Sequence, residues 1–255
     1  MHQWKYIKII EKYSQMKNHN DFILSQITDI LKDVVSASVG IGSGIETYPL
    51  YDYIMQSVFL KMTGFQEQKM KCICWELATN DYEYRRVLLI NEDKLGEYSS
   101  YPAKNKIYQQ LIKQIKKYNS DFIVSSAIDN KNIVKKMILE IVEIFSNTNL
   151  SIWAQNDFNE FRNNKTLIQY KHFANNGTSL FENVLQDIYK FIYNHRNRCA
   201  HNTHSYQQNL PTLKTMANEN YKYENYFVRF AILILIDKVF IELYNKYLNV
   251  LADGL

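Results

Sequence analysis

The stretch that most restricts the fold lies near the C-terminus. From about residue 223 to 250, apolar side chains fall on several sides of a helix, most densely in FAILILI, Phe230 to Ile236. A helix that is apolar nearly all round has to be covered by other elements. A membrane is not the cover expected here, because the run ends at Asp237 and a span needs about 18 apolar residues. The remaining 220 or so residues must therefore supply a shell. With 7 Gly and 3 Pro in 255 residues, long uninterrupted elements are expected rather than a turn-rich sandwich.

The shell reads as helices throughout. Apolar residues recur at three- and four-residue steps over 3–16 and 21–38, the latter through Phe22, Ile23, Ile27, Ile30, Leu31, Val34 and Val35. Residues 50–63 and 66–90 continue the pattern, with CICWEL (72–77) expected in the core. After a polar loop over 91–102 comes a basic helix, 104–118, whose Lys104, Lys106, Lys113, Lys116 and Lys117 read as a solvated face in preference to an RNA track. The period fades over 119–130 and returns from 131 through Ile133, Val134, Met137, Ile138, Ile141, Val142 and Phe145. A short helix is expected over 151–163. Asn175, Asn176 and Gly177 mark a turn, and Ser179 with Glu182 has capping-box spacing for the next helix. The fold class is all-α, with a soft boundary dividing residues 1–120 from 121–255.

Composition narrows the function classes. A formal charge of +4 permits nucleic-acid binding without requiring it. Three cysteines, two of them Cys72 and Cys74 on one helix, argue against a disulfide framework and for a reducing compartment. The N-terminal MHQWKYIKIIEKY lacks a signal peptide's apolar core, so a soluble cytoplasmic protein is expected. The glycines of VGIGSGIETYP (Gly40, Gly42, Gly44) lack the Gly-Lys-Ser/Thr ending of a phosphate loop and read as an interhelix hinge. Asp52, Glu67 and Lys69 imitate the acid–acid–lysine set of a metal-dependent nuclease, but on helices rather than strands. Cys199, His201 and His204, with Cys72 or Cys74, could be zinc ligands, although the spacing is not that of a structural zinc site.

The densest chemistry is YNHRNRCAHNTH, Tyr193 to His204, which holds three of six histidines. The stripe Phe181, Leu185, Ile188, Ile192 continues onto Arg196 and then Cys199. An arginine thus takes a position due to be buried, and an unpaired buried guanidinium is very costly. Arg196 must meet a carboxylate, a cleft or a subunit interface. In a cleft its planar fork would suit a phosphate. Arg196 and His201 stand about 140° apart on an ideal helix, whereas Asn197 and His201 share a face. Joint action by Arg196 and His201 therefore requires that the helix end or bend between them, or that a twofold interface bring two copies together. Taken alone, Arg196 and Arg198 are also what a solvated helix end carries, and His195 and His204 read as surface residues.

The run RNRCAHN, Arg196 to Asn202, resembles the signature of HEPN domains: an arginine, four to six residues, then a histidine, with Asn197, Ala200 and Asn202 as typical neighbours. Residues 125–255 match such a domain in size, while nothing in the first 120 resembles a nameable family. The resemblance implies a compact helical bundle acting as a metal-independent ribonuclease of toxin or abortive-infection type, without a cofactor. Its site is formed by two copies in a homodimer, and its partners are RNA and an antitoxin or other defence component. His201 would exchange a proton with the ribose 2′-OH or the leaving 5′-oxygen. Arg196 would hold the scissile phosphate. Asn197 would orient the imidazole or the phosphate, and Arg198, Asn202 and His204 would support substrate. Arg198 and Lys190 are also candidates for phosphate contacts on their charge alone. The resemblance also admits a module without catalytic activity that binds RNA or protein. Adenylylation-silenced members carry a tyrosine two residues after the histidine; here Thr203 stands there, with Tyr206 off register.

Overall fold

The computed structural model describes residues 19–42, 44–90, 97–174, 177–201 and 224–253. The chain is all-α, as its periodicity predicts. The order is α1 (Thr28–Ser38), α2 (Tyr48–Asn80), α3 (Tyr82–Ile90), α4 (Tyr101–Tyr118), α5 (Val124–Ala127), α6 (Asn130–Phe145), α7 (Asn149–Trp153), α8 (Gln155–Asn163), α9 (Asn183–His201) and α10 (Tyr226–Asp253). Among the described residues the one β feature is an isolated bridge, Phe173 to Phe181.

The C-terminal helix is the axis of the bundle. Every residue of α10 from Tyr226 to Asp237 is buried. Around it pack α2, α4, α6 and α8. An aromatic cluster fastens one side: Phe227 meets Phe145 and Phe158 edge-on, each at 5.1 Å, and Phe145 stacks on Phe230 at 6.1 Å. No helix among the described residues is long and apolar enough to cross a membrane. Helix α10 packs against α2 and α4 as well as against α6.

Several boundaries differ from the periodicity reading, each through side chains remote in sequence. The expected helix over 21–38 is broken at Ser25–Ile27. A buried ion pair satisfies the break: Lys69 Nζ donates to Asp237 Oδ1 at 2.5 Å and to the Ser25 carbonyl at 2.6 Å, while Ile27 N–H donates to Asp237 Oδ2 at 3.0 Å. Residues 50–80 form one helix through Gly64, where a Cβ would meet only open space. That helix stops at Asp81, whose Oδ1 accepts from Tyr84 N–H and starts α3. Within CICWEL, Cys72, Ile73, Cys74, Glu76 and Leu77 are buried but Trp75 is exposed. Helix α4 begins at Tyr101, capped by Ser100 with Pro102 in its first turn.

The capping box expected at Ser179 is not formed. Helix α9 starts at Asn183, and Ser179 Oγ instead donates to the Phe181 carbonyl at 2.8 Å and meets Tyr101 Oη at 2.9 Å. Tyr101 Oη also accepts from Phe181 N–H at 3.0 Å, which holds residues 179–181 extended against α4. Beyond this corner Leu185, Ile188 and Ile192 are buried as the stripe predicts.

Candidate functional site

The second half of α9 presents two polar clusters. The first surrounds Arg196, which is half-buried against α2 and the 97–100 segment. Its guanidinium lies 3.6 Å from Glu67 Oε2 and 3.5 Å from Glu97 Oε1. The shorter bond goes to its own neighbour: Nη1 donates to Asn197 Oδ1 at 3.0 Å. Arg196 therefore has the carboxylate partners that a position on the buried stripe requires. Both ion pairs are longer than a charge-assisted hydrogen bond.

Glu67 and Glu97 are themselves held. Glu67 pairs with Lys71 one turn on, at 3.0 Å. Glu97 Oε1 accepts from Ser99 Oγ at 2.5 Å and from Tyr193 Oη at 3.4 Å. Beneath them lies Lys104, fully buried, whose Nζ donates to the Tyr98 carbonyl at 2.8 Å. It was expected on a solvated face, but Tyr101, Lys104, Tyr108, Leu111 and Ile115 fall on one buried stripe of α4. The other lysines of that helix, Lys106, Lys113, Lys116 and Lys117, are exposed as expected.

Burial pushes the Lys104 ammonium down to about 7, with Glu67 pulling it back up and Arg196 pushing it further down. The folded state thus releases this proton before the unfolded chain does. Its destabilising effect is full below about pH 7 and fades as pH rises toward the ordinary lysine value. The Lys104→Met protein is expected to be the more stable one at pH 6. Its urea midpoint should rise less between pH 7 and 10 than that of the wild type.

The second cluster occupies the neighbouring face of α9. His195 Nε2 lies 3.1 Å from Tyr226 Oη, 3.1 Å from Arg229 Nη1 and 3.4 Å from Cys199 Sγ. Arginine can only donate, so Nε2 is the acceptor and the ring is neutral. Burial first, then Arg229 and Arg198, hold this imidazole down at about 2. His195 was expected at the surface; it packs instead on Phe59 and Tyr226, with ring centroids at 5.2 and 5.5 Å. A base that cannot take up a proton near neutrality is a structural acceptor, not a proton shuttle. Arg229, 3% exposed, pairs with Glu224 and stacks over Tyr226.

Arg198 is exposed, and Lys190 is tied to Asp187 at 2.7 Å. Helix α9 continues without interruption to His201, so it does not end between Arg196 and His201. The two positions stand about 140° apart on one helix. The His201 side chain, together with Asn202, Thr203, His204 and Tyr206, lies outside the described residues.

The Asp52–Glu67–Lys69 set is not assembled. Lys69 is spent on Asp237 and Glu67 on Arg196 and Lys71. Among the described residues no group of three His, Cys, Asp or Glu could hold a metal ion. Cys72 and Cys74 are buried on α2, and Cys199 faces His195. Residues that the sequence reading passed over are Glu97, Tyr226 and Arg229. Arg229 had a signal: a charge inside an apolar run, which in a core helix demands a partner. No family model, no curated protein and no solved structure matches the chain.

Proposed function

We propose that the chain is a metal-independent endoribonuclease of the HEPN type, acting as a toxin or antiviral effector from a homodimer. The observation that carries the reading is RNRCAH, Arg196 to His201, on a helix of an all-α bundle, with Arg196 at a half-buried position facing other elements. The ion pairs of Arg196 are long, and Glu97, the more exposed partner, can yield to a phosphate. Arg196 would hold the scissile phosphate and stabilise its added charge in the transition state. His201 would transfer the proton between the ribose 2′-OH and the leaving 5′-oxygen. The bond formed is 2′-O to phosphorus and the bond broken is phosphorus to 5′-O. The products are a 2′,3′-cyclic phosphate and a 5′-OH, and DNA is spared.

Because one uninterrupted helix puts the Arg196 and His201 positions about 140° apart, a site using both would draw them from two chains. Asn197, whose side chain meets Arg196, is a positioning residue. Purified protein incubated with single-stranded RNA should yield cyclic-phosphate ends, at a rate that excess EDTA changes by less than about twofold. Cleavage that EDTA abolishes, or 3′-OH ends, would overturn the reading. A specific observation favours a second one. Two carboxylates already face Arg196 in the single chain, as befits a non-catalytic module that binds RNA or protein. Such a module would bind RNA and leave it intact.

A further inference from the structure

The guanidinium of Arg196 is divided between two carboxylates that differ in kind. Nη2 faces Glu67 on α2, and Nη1 faces Glu97 in the segment before α4. The Glu67 side chain is 16% exposed and the Glu97 side chain 53%. Glu67 stands in the middle of a long helix, and its other oxygen is taken by Lys71 at 3.0 Å. Glu97 lies at the surface, where water replaces a partner that it gives up. Nη1 also has a second acceptor, Asn197 Oδ1, at 3.0 Å and closer than Glu97. The Glu97 end of the fork is therefore the end open to an incoming anion.

Glu97 keeps donors when it releases Arg196. Its Oε1, the oxygen that pairs with Arg196, also accepts from Ser99 Oγ at 2.5 Å and from Tyr193 Oη at 3.4 Å. The backbone beside it is fixed. Lys104 Nζ donates to the Tyr98 carbonyl and Tyr189 Oη to the Ser99 carbonyl, each at 2.8 Å. The carboxylate is thus tethered next to Arg196 whether or not the two are paired. A carboxylate 3.5 Å from a guanidinium stands where a phosphate oxygen would stand, and its charge offsets the field that attracts a phosphate.

We infer that Glu97 is a built-in competitor for the anion that Arg196 binds, so that the single chain holds its own candidate site partly closed. Glu67 has the other part: less exposed and tied to Lys71, it holds the guanidinium in place while the Glu97 end exchanges partners. That the anion is a phosphate of RNA rests on the ribonuclease reading; the competition rests on the two ion pairs. Glutamine at position 97 removes the charge and keeps a carbonyl acceptor for Ser99 and Tyr193. It therefore separates competition for Arg196 from support of the 97–100 segment.

The probe is a fluorescein-labelled single-stranded RNA with a 2′-O-methyl group on every ribose, which has no 2′-OH to attack with. Its binding to the full chain is followed by fluorescence anisotropy. Glu97→Gln is expected to tighten binding about two- to fivefold, the range that one partly exposed ion pair spans. Placed in the Arg196→Ala protein, the same substitution should change affinity by less than about 1.5-fold, because the competition that it relieves is already gone. Binding by Glu97→Gln that is absent, weaker or unchanged overturns the inference. So does tightening of equal size with and without Arg196, which the loss of any nearby negative charge would give. The ribonuclease reading fails separately: unmodified RNA left intact by the wild type and by Glu97→Gln, with the Arg196-dependent tightening present, counts against cleavage and leaves the competition standing.

Discussion

Asp237→Ala is expected to lower the stability of the chain by about 3–5 kcal/mol, the cost of leaving a buried charge without its partner. Lys69 would keep a single bond, to the Ser25 carbonyl, and Ile27 N–H would lose its acceptor. Burial already pushes the Asp237 carboxyl up and the Lys69 ammonium down, each pulled back by the other. The pair does more than cancel charge. It ties the broken N-terminal helix, the long helix α2 and the axial helix α10 at one point. Urea unfolding measures the loss. Lys69→Met with Asp237→Leu should recover part of it, because the pair is then replaced by apolar bulk. Recovery stays incomplete, since Ser25 O and Ile27 N–H remain unpartnered, at about 1–3 kcal/mol. If Asp237→Ala shifts stability by less than about 1 kcal/mol, the break in the helix is not held as described.

The second large effect is expected on the proposed ribonuclease activity. His201→Ala should reduce RNA cleavage by about 10²–10⁴-fold, the usual contribution of a general acid or base. Arg196→Ala should reduce it by about 10²–10³-fold, as removal of a transition-state charge contact does. The two variants differ in stability. Arg196→Ala leaves Glu67 and Glu97 facing each other without the guanidinium between them, so it should cost about 1 kcal/mol, while His201→Ala should leave the urea midpoint unchanged. Arg196→Lys restores the charge but not the fork, and should recover folding without recovering the rate.

The helices were legible because their spacing is set by burial in the bundle, against α10 for α2, α4, α6 and α8 and against one another for the rest, which leaves a three- and four-residue period. What the period does not carry is where helices break. The interruption at Ser25–Ile27 depends on Lys69 and Asp237, and the late start of α9 depends on Tyr101 taking up Ser179 and Phe181; those partners lie far away in sequence. The same holds at the candidate site. That Arg196 needed a carboxylate followed from its place on the stripe. That Glu67 and Glu97 supply it did not, since the first looked like part of a metal-binding set and the second lay in a polar loop. Lys104 departs from the solvated face although its register is available: it falls with Tyr101, Tyr108, Leu111 and Ile115 on the buried stripe, and lysine content alone does not show which side of a helix is covered. His195, three residues beyond Ile192, was close enough to the stripe to be covered by Phe59 and Tyr226.

The account turns on whether one catalytic centre uses Arg196 from one chain and His201 from another. The direct measurement mixes the two inactive proteins, Arg196→Ala and His201→Ala, under conditions in which subunits exchange, and follows RNA cleavage with cyclic-phosphate ends. Half of the dimers would be mixed, each with one complete centre, so activity should return to about a quarter of the wild-type rate. A mixture no more active than its components, although subunit exchange has been demonstrated, would contradict a centre shared between chains.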